Sequence, residues 1–184
     1  TKNDMFPISV PVHTEEDAMV LAEALLEGEG IKTADNLKVA AEIVKQADCF
    51  AHYIHGIVKA LKMLHRDIEF SDVNMVVGEK LSDGGQDWDL DHYEERLRDY
   101  YGEDEELCLA VLESMANSAE SMNRDELVSA VSRLGGFGSK KKLSERLRKV
   151  MKKMVTDHYF TKSEDGKYAF LFGVVKRWCK INFN

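Results

Sequence analysis

Apolar residues recur every three or four positions along most of this chain, a spacing that predicts α-helices. In the first half it predicts four helices, the first capped by Thr14 and the last by Ser71. The two between them run from about Asp35 to Gln46 and from about Phe50 to His65. Short joints connect these helices, so we expect a small helical bundle. The predicted buried face of the second helix comprises Leu37, Ala40, Ala41 and Val44.

The second half predicts a different order of elements, with three helices followed by a hairpin and a last helix. Asn123 and Glu126 form a capping-box pattern at the start of the second of these helices, and Ser139 caps the third. The three helices are predicted over Glu105–Ser118, Arg124–Leu134 and from Ser139 to about Asp157.

Two runs rich in aromatic residues follow, at 158–161 and 167–172, and they flank the turn SEDG at 163–166. An Asp-Gly pair between such runs is typical of a β-hairpin. Three helices followed by a hairpin form the winged helix-turn-helix pattern. The fold class is therefore predicted to be mainly α, with a four-helix bundle followed by a winged helix-turn-helix domain.

Residues 82–88, SDGGQDW, form the clearest linker because they place two glycines side by side among polar residues. An amphipathic segment, DLDHYEERLRDYYG, follows this linker and ends at Gly102. We therefore predict a helical bundle over residues 1–82, a linker and connecting helix over 83–104, and a winged-helix domain over 105–184.

The charge is divided unevenly between the two halves of the chain. Its 184 residues have a net charge of −8. Residues 1–104 hold 10 Lys/Arg and 23 Asp/Glu, a net of −13, whereas residues 105–184 hold 15 and 10, a net of +5. The first half should repel polyanions and the second half should tolerate them.

The third helix of the second half, SKKKLSERLRKVMKKMV, carries its cations on one side. Its single acid is Glu145, and an apolar stripe at helical spacing leaves the lysines and arginines on the exposed face. In a helix-turn-helix this element enters the major groove. We predict contact with double-stranded DNA or a protein partner through Lys140, Lys141, Lys142, Arg146, Lys149, Lys153 and, on the hairpin, Lys162 and Lys167. A merely solvated face, or docking on the acidic first half, is the alternative.

The three cysteines, Cys49, Cys108 and Cys179, are far apart and form no CxxC pair, which fits a reducing cytoplasm. Cys49, His52 and His55 share a helical spacing, but no fourth ligand accompanies them, so helix packing is favoured over a metal site. No apolar run reaches the ~18 residues that a membrane span requires. We therefore expect a cytoplasmic protein without a membrane partner.

Three segments of the chain are similar to a known family. The segment DWDLDHYEERLRDYYGED and the ending DHYFTKSEDGKYAFLFGVVKRWCKI resemble the C-terminal region of prokaryotic AAA+ ATPases of the STAND and origin-recognition type. Val174-Val175-Lys176-Arg177-Trp178 matches a basic-aromatic run near the end of those proteins. The opening PISVPVHTEEDAMVLAEALLEGEGI is similar to the start of their helical lid.

The resemblance implies a non-catalytic regulatory region of a nucleotide-switched ATPase, in which a lid precedes a winged helix. The ATPase core would lie upstream in the same polypeptide, in agreement with a chain that opens with Thr1. The sequence has no GxxxxGK[ST] motif and no hydrophobic strand ending in Asp-Asp or Asp-Glu. ATP and Mg²⁺ are therefore implied for the full-length protein, with no cofactor bound by this fragment.

The lid of the family has a Gly-x-Pro turn that helps to sense the nucleotide, and here Cys49-Phe50-Ala51 stands in its place. His52 and His55 follow this turn and are the candidates for nucleotide sensing. Two other functions stay open. One is a stand-alone winged-helix transcription regulator whose first half dimerises or senses a ligand. The other is a protein-interaction module in which the basic helix binds an acidic surface.

Overall fold

The computed structural model describes residues 12–83 and 88–183. Within these ranges the chain is mainly helical with one small antiparallel hairpin, which confirms the predicted mainly α class. The elements are α1 (Glu15–Gly28), α2 (Asn36–Gln46), α3 (Ala51–Lys62), α4 (Phe70–Ser82), α5 (Asp91–Tyr101), a 3-10 turn (Gly102–Asp104), α6 (Glu105–Ala116), α7 (Arg124–Leu134), α8 (Lys140–Thr156), β1 (Phe160–Lys162), β2 (Tyr168–Phe170) and α9 (Gly173–Asn182).

The chain divides into two compact units, one ending at Asn74 and the other beginning at Met75. The division falls inside α4, so this helix contributes to both units. The predicted linker falls partly on residues 84–87, which lie outside the described residues. The predicted domain limits at residues 82 and 105 stay predictions.

In the first unit α1, α2 and α3 pack against one another. The Thr14 hydroxyl accepts the backbone N–H of Asp17 at 3.1 Å and so begins α1 as predicted. Ala18, Ala22 and Leu26 then face the core at intervals of four residues. These buried side chains hold α1 against its two neighbours.

Three predictions for the first unit were wrong in detail. On α2, Ala40 and Val44 are buried as predicted, but Leu37 is 62% exposed and Ala41 is also exposed, because the helix turns Val39 and Ile43 inward in their place. α4 begins at Phe70 rather than after Ser71, since the Asp72 carboxylate accepts the backbone N–H of Glu69 at 2.8 Å and caps the helix there. α3 ends at Lys62, and His65 already has a left-handed φ of 51°.

In the second unit α6, α7 and α8 contact one another, while α9 packs against α6 and β2. The core is built from side chains of all four helices and of the hairpin. Its largest fully buried members include Leu107 on α6, Tyr159 and Phe160 at the start of the hairpin, and Trp178 on α9. The hairpin and the last helix therefore close the three-helix group on one side.

The hairpin pairs Phe160 with Phe170 and Lys162 with Tyr168 across an antiparallel ladder. Gly166 supplies the positive φ of 82° that its turn requires, as the Asp-Gly pair predicted. The first strand begins two residues later than predicted because His158, with a left-handed φ of 64°, belongs to the turn that follows α8. Met122 joins the hairpin as a third, single-residue partner, exchanging backbone hydrogen bonds of 3.0 and 2.8 Å with Tyr168.

Candidate functional site

A glycine turn and a capping serine set the start of the basic helix α8. Gly135, Gly136 and Gly138 all have positive φ and turn the chain after α7. The Ser139 hydroxyl then accepts the N–H of Lys142, at 3.5 Å. The predicted apolar stripe is confirmed, since Leu143, Leu147, Val150, Met151 and Met154 are buried.

The opposite face of α8 is exposed and strongly basic. Its exposed charged residues are Lys140, Lys141, Lys142, Glu145, Arg148, Lys149, Lys152 and Lys153. We call this the basic face. A helix that buries an apolar stripe on one side and exposes seven cations against one acid presents a predominantly positive strip to solvent.

One flank of α8 is covered by the end of α5 and the 3-10 turn. Arg146 donates to the Asp104 carboxylate from Nη2 at 2.7 Å and from Nε at 3.1 Å, and to the backbone carbonyl of Glu103 at 3.1 Å. Lys153 donates to the backbone carbonyl of Tyr100, with its ammonium 4.0 Å from the centre of the Tyr101 ring. Two of the predicted contact residues therefore already have partners inside the protein.

The other flank of α8 borders an open groove of about 1100 Å³. The groove lies between the start of α7, the segment before it, and the hairpin. Its basic residues are Arg124, Arg133, Arg148 and Lys162, and its acids are Glu120, Asp125 and Glu126. We call this the α7–hairpin groove.

The acids of the groove are partly engaged at the start of α7. Asn123 accepts the N–H groups of Asp125 and Glu126 at 2.9 and 3.0 Å, and the Glu126 carboxylate accepts the N–H of Asn123 at 2.7 Å. This is the predicted capping box. Asp125 also lies 3.9 Å from Arg124. Because the capping box already engages the N–H groups of Asn123, Asp125 and Glu126, the four cations are the part of the groove that favours anions.

The hairpin lysines have different surroundings. Lys162 lines the groove, and its ammonium lies 5.5 Å from the centre of the Tyr168 ring. Lys167 lies 4.0 Å from the carboxylate of Asp165 in the turn. The role of either lysine in partner contact stays a prediction.

Three arginines that line the groove, Arg124, Arg133 and Arg148, were missed as candidates by sequence reasoning. Arg148 was recoverable, because it lies outside the apolar stripe of α8 and so on the exposed side of that helix. Arg124 and Arg133 belong to α7, and only the packing of α7 against α8 brings them to the same groove.

His52 and His55 are exposed on α3 in the first unit. The His52 ring lies edge-on to that of Tyr53, with 5.3 Å between their centres. Cys49 precedes the helix with a left-handed φ of 57°. Among the described residues, no group of three or more His, Cys, Asp or Glu side chains is placed to hold a metal ion. Nucleotide sensing by the two histidines stays a prediction.

All three cysteines are unpaired thiols within the described part of the chain. Burial raises the pKa of Cys108 to about 12 and also raises that of Cys179. The pKa of Cys49 is raised as well, by burial and by the nearby Glu15 and Asp48 carboxylates. A thiol with a raised pKa is protonated at neutral pH and is a poor nucleophile.

Two tyrosine hydroxyls fasten α5 to the end of α8. Tyr101 donates to the Asp157 carboxylate at 2.8 Å, and Tyr159 donates to the backbone carbonyl of Tyr93 at 2.7 Å. Burial raises the pKa of Tyr101, and the Asp157 carboxylate raises it further. Burial also raises the pKa of Tyr159. Both hydroxyls stay protonated and act as hydrogen-bond donors, so this cluster is structural.

Comparison with protein-family models, curated proteins and solved structures yields no match for this chain. Within residues 12–83 and 88–183, no helix combines the length and the apolar character that crossing a bilayer would need. Because these comparisons identify no relative, the proposed function depends on the exposed cations of α8 and of the α7–hairpin groove.

Proposed function

We propose that the second unit binds double-stranded DNA through the basic face of α8 and the α7–hairpin groove. The observation that carries this proposal is the exposed strip of cations on α8, interrupted by the single acid Glu145. Phosphate contacts by Lys and Arg supply most non-specific affinity for DNA. An exposed helix that follows a helix and a tight glycine turn is also the element that helix-turn-helix proteins insert into the major groove.

The order of elements supports a winged helix-turn-helix reading of residues 105–183. α6, α7 and α8 are followed by the β1–β2 hairpin. Met122, between α6 and α7, pairs with Tyr168 of β2 and adds the short strand that such domains carry between their first two helices. In this reading α8 is the recognition helix and the hairpin is the wing.

The groove extends the interface beyond the basic face. Arg148 lies on the flank of α8 that borders the groove, and Lys162 reaches it from the hairpin. A phosphate in this groove would meet guanidinium groups from α7 and α8. Arginine suits this role because its planar fork can donate two parallel hydrogen bonds to a phosphate.

In the first unit, the helices α1–α3 and the start of α4 fit the lid that the family resemblance implies. The whole chain would then be the regulatory C-terminal region of a nucleotide-switched ATPase whose core lies upstream. In that setting the lid would reorient the DNA-binding unit when the nucleotide changes. The presence of an in-frame P-loop upstream of Thr1 in the coding DNA tests this part of the proposal independently of DNA binding.

DNA binding is tested by fluorescence anisotropy of the full chain with a short labelled duplex at low salt. Lys141 and Lys149 are exposed on the basic face, so the double variant K141A/K149A should bind roughly tenfold or more weakly than the wild type. The matched control is K32A/K59A, which removes two exposed lysines from the first unit. Equal affinity of both variants and the wild type would refute the proposed surface, and a partner of acidic protein would then be the better candidate.

A further inference from the structure

The segment Tyr100–Asp104 contacts α8 through the side chains of Arg146 and Lys153. This segment, which we call the acidic cover, comprises the end of α5 and the 3-10 turn. It provides the Asp104 carboxylate and the carbonyls of Tyr100 and Glu103 as acceptors for cations of α8. The cover therefore satisfies Arg146 and Lys153 in the way that phosphate oxygens would.

We propose that the acidic cover competes with DNA for Arg146 and Lys153 and so limits the affinity of the basic face. This inference rests on the proposed function and concerns the regulation of the same site. In the covered state, Lys140–Lys142, Arg148, Lys149 and Lys152 remain available for phosphate, whereas the Arg146 guanidinium and the Lys153 ammonium are engaged by the cover. When the cover releases them, the interface gains two cations on the flank that faces α5.

The geometry makes the cover specific to one flank of α8. Arg146 and Lys153 are seven residues apart, two helical turns, and so lie one above the other on the same side. Gly102 adopts φ 50° and ψ −119°, a conformation open to glycine, and turns the chain between Tyr101 and Asp104. This turn lets the carbonyl of Tyr100 and the carboxylate of Asp104 meet α8 two turns apart.

The contacts are suited to competition because they lie at the surface. The Arg146 and Asp104 side chains are 42% and 39% exposed. Ion pairs with this exposure are weak and screened by salt. A DNA phosphate that approaches the basic face can therefore displace the Asp104 carboxylate, whereas a buried pair would resist exchange.

The test is a double-mutant cycle on the full chain, with anisotropy of the labelled duplex as the readout. Asp104→Asn removes the charge that holds Arg146, so affinity at low salt should rise about five- to tenfold, with a salt slope steeper by about one. Arg146→Ala should change affinity little in the wild type, because Arg146 is already engaged. In the Asp104→Asn background the same substitution should remove the gain.

Glu103→Gln is the matched control for net charge. It removes the same charge one residue away, but Glu103 offers Arg146 its backbone carbonyl rather than its carboxylate. If the two single variants gain affinity equally, or if Arg146→Ala weakens the wild type as much as it weakens Asp104→Asn, the cover is refuted while DNA binding stands. If no variant binds the duplex, the proposed function fails as well.

A second readout needs no DNA. In ¹⁵N NMR spectra the Arg146 Nε–H signal should shift and exchange faster with solvent in Asp104→Asn, because it loses its carboxylate acceptor. The Glu103→Gln variant should leave it unchanged. An Arg146 signal that is the same in the wild type and in Asp104→Asn would overturn the cover whatever the binding results.

Discussion

At the scale of single residues, Asp72 is a buried carboxylate in the first unit that depends on its hydrogen-bond partners. It is buried, and its carboxylate accepts two hydrogen bonds from the Arg66 guanidinium at 2.6 and 2.7 Å and a third from the N–H of Glu69. These bonds, with that from Arg66 foremost, lower the pKa of Asp72 although its burial opposes them. The charged form is thus the one that the fold stabilises.

We expect Asp72→Asn to destabilise the protein by roughly 1–2 kcal/mol at pH 7, because a buried carboxylate that accepts from Arg66 and from the N–H of Glu69 loses its charge. Since the folded pKa is lowered, the wild-type advantage is present above the unfolded pKa of about 4 and is lost as the pH falls through the folded pKa. Urea unfolding followed by far-UV circular dichroism at several pH values measures this. Asp67→Asn, an exposed neighbour, is the control. Equal midpoints for both variants at pH 7 would contradict the role of Asp72.

At the scale of elements, α7 and α8 both begin with a side-chain N-cap, but the two caps differ in the number and length of their hydrogen bonds. The Asn123 side chain accepts two hydrogen bonds, at 2.9 and 3.0 Å, and its backbone N–H donates a reciprocal one to the Glu126 carboxylate at 2.7 Å. Ser139 accepts one bond at 3.5 Å, at the outer limit of hydrogen bonding. The cap of α7 should therefore contribute more to stability than the cap of α8.

Asn123→Ala should lower the free energy of unfolding of the second unit by about 1–2 kcal/mol, and Ser139→Ala should lower it by less than about 1 kcal/mol. Tryptophan fluorescence is the appropriate probe, because both tryptophans of the chain, Trp88 and Trp178, are buried in that unit. A larger loss for Ser139→Ala than for Asn123→Ala would show that the hydrogen-bond geometry does not govern these caps.

The elements also show which local signals sufficed for prediction. α7, α8 and the hairpin were placed from caps, a glycine turn and an Asp-Gly pair, all of which act within a few residues. The inward face of α2 was only partly predictable in this way. Ala40 and Val44 were placed correctly, but two neighbouring faces of that helix are both apolar. Packing against α1 and α3 selects the face with Val39 and Ile43 and leaves Leu37 in solvent.

At the scale of the whole molecule, the negative net charge opposes non-specific binding of DNA, whereas the basic face of α8 favours it. The net charge of −8 coexists with an exposed strip of cations on α8. Charges separated by more than about 10 Å are screened at 0.1 M salt. The local strip should therefore govern DNA contact at physiological salt, and the net charge should matter mainly at low salt.

We expect the affinity for duplex DNA to fall steeply with salt, with a slope of roughly −3 to −5 in a plot of log K against log salt concentration. This corresponds to about three to six phosphates neutralised by the basic face and the groove. The K141A/K149A variant should give a slope shallower by about two. A slope near zero for the wild type would contradict an interface made of phosphate contacts.

The sequence by itself determined the helical class, the order of elements in the second half, and the apolar stripe that turns the cations of α8 outward. These features follow from periodicity and from caps, which are local. Only the tertiary structure decided which cations share a surface. It brought Arg124 and Arg133 to the flank of α8 that carries Arg148, and it engaged Arg146 with Asp104, 42 residues away. Such pairings depend on how helices pack, and the spacing of residues within one helix does not determine them.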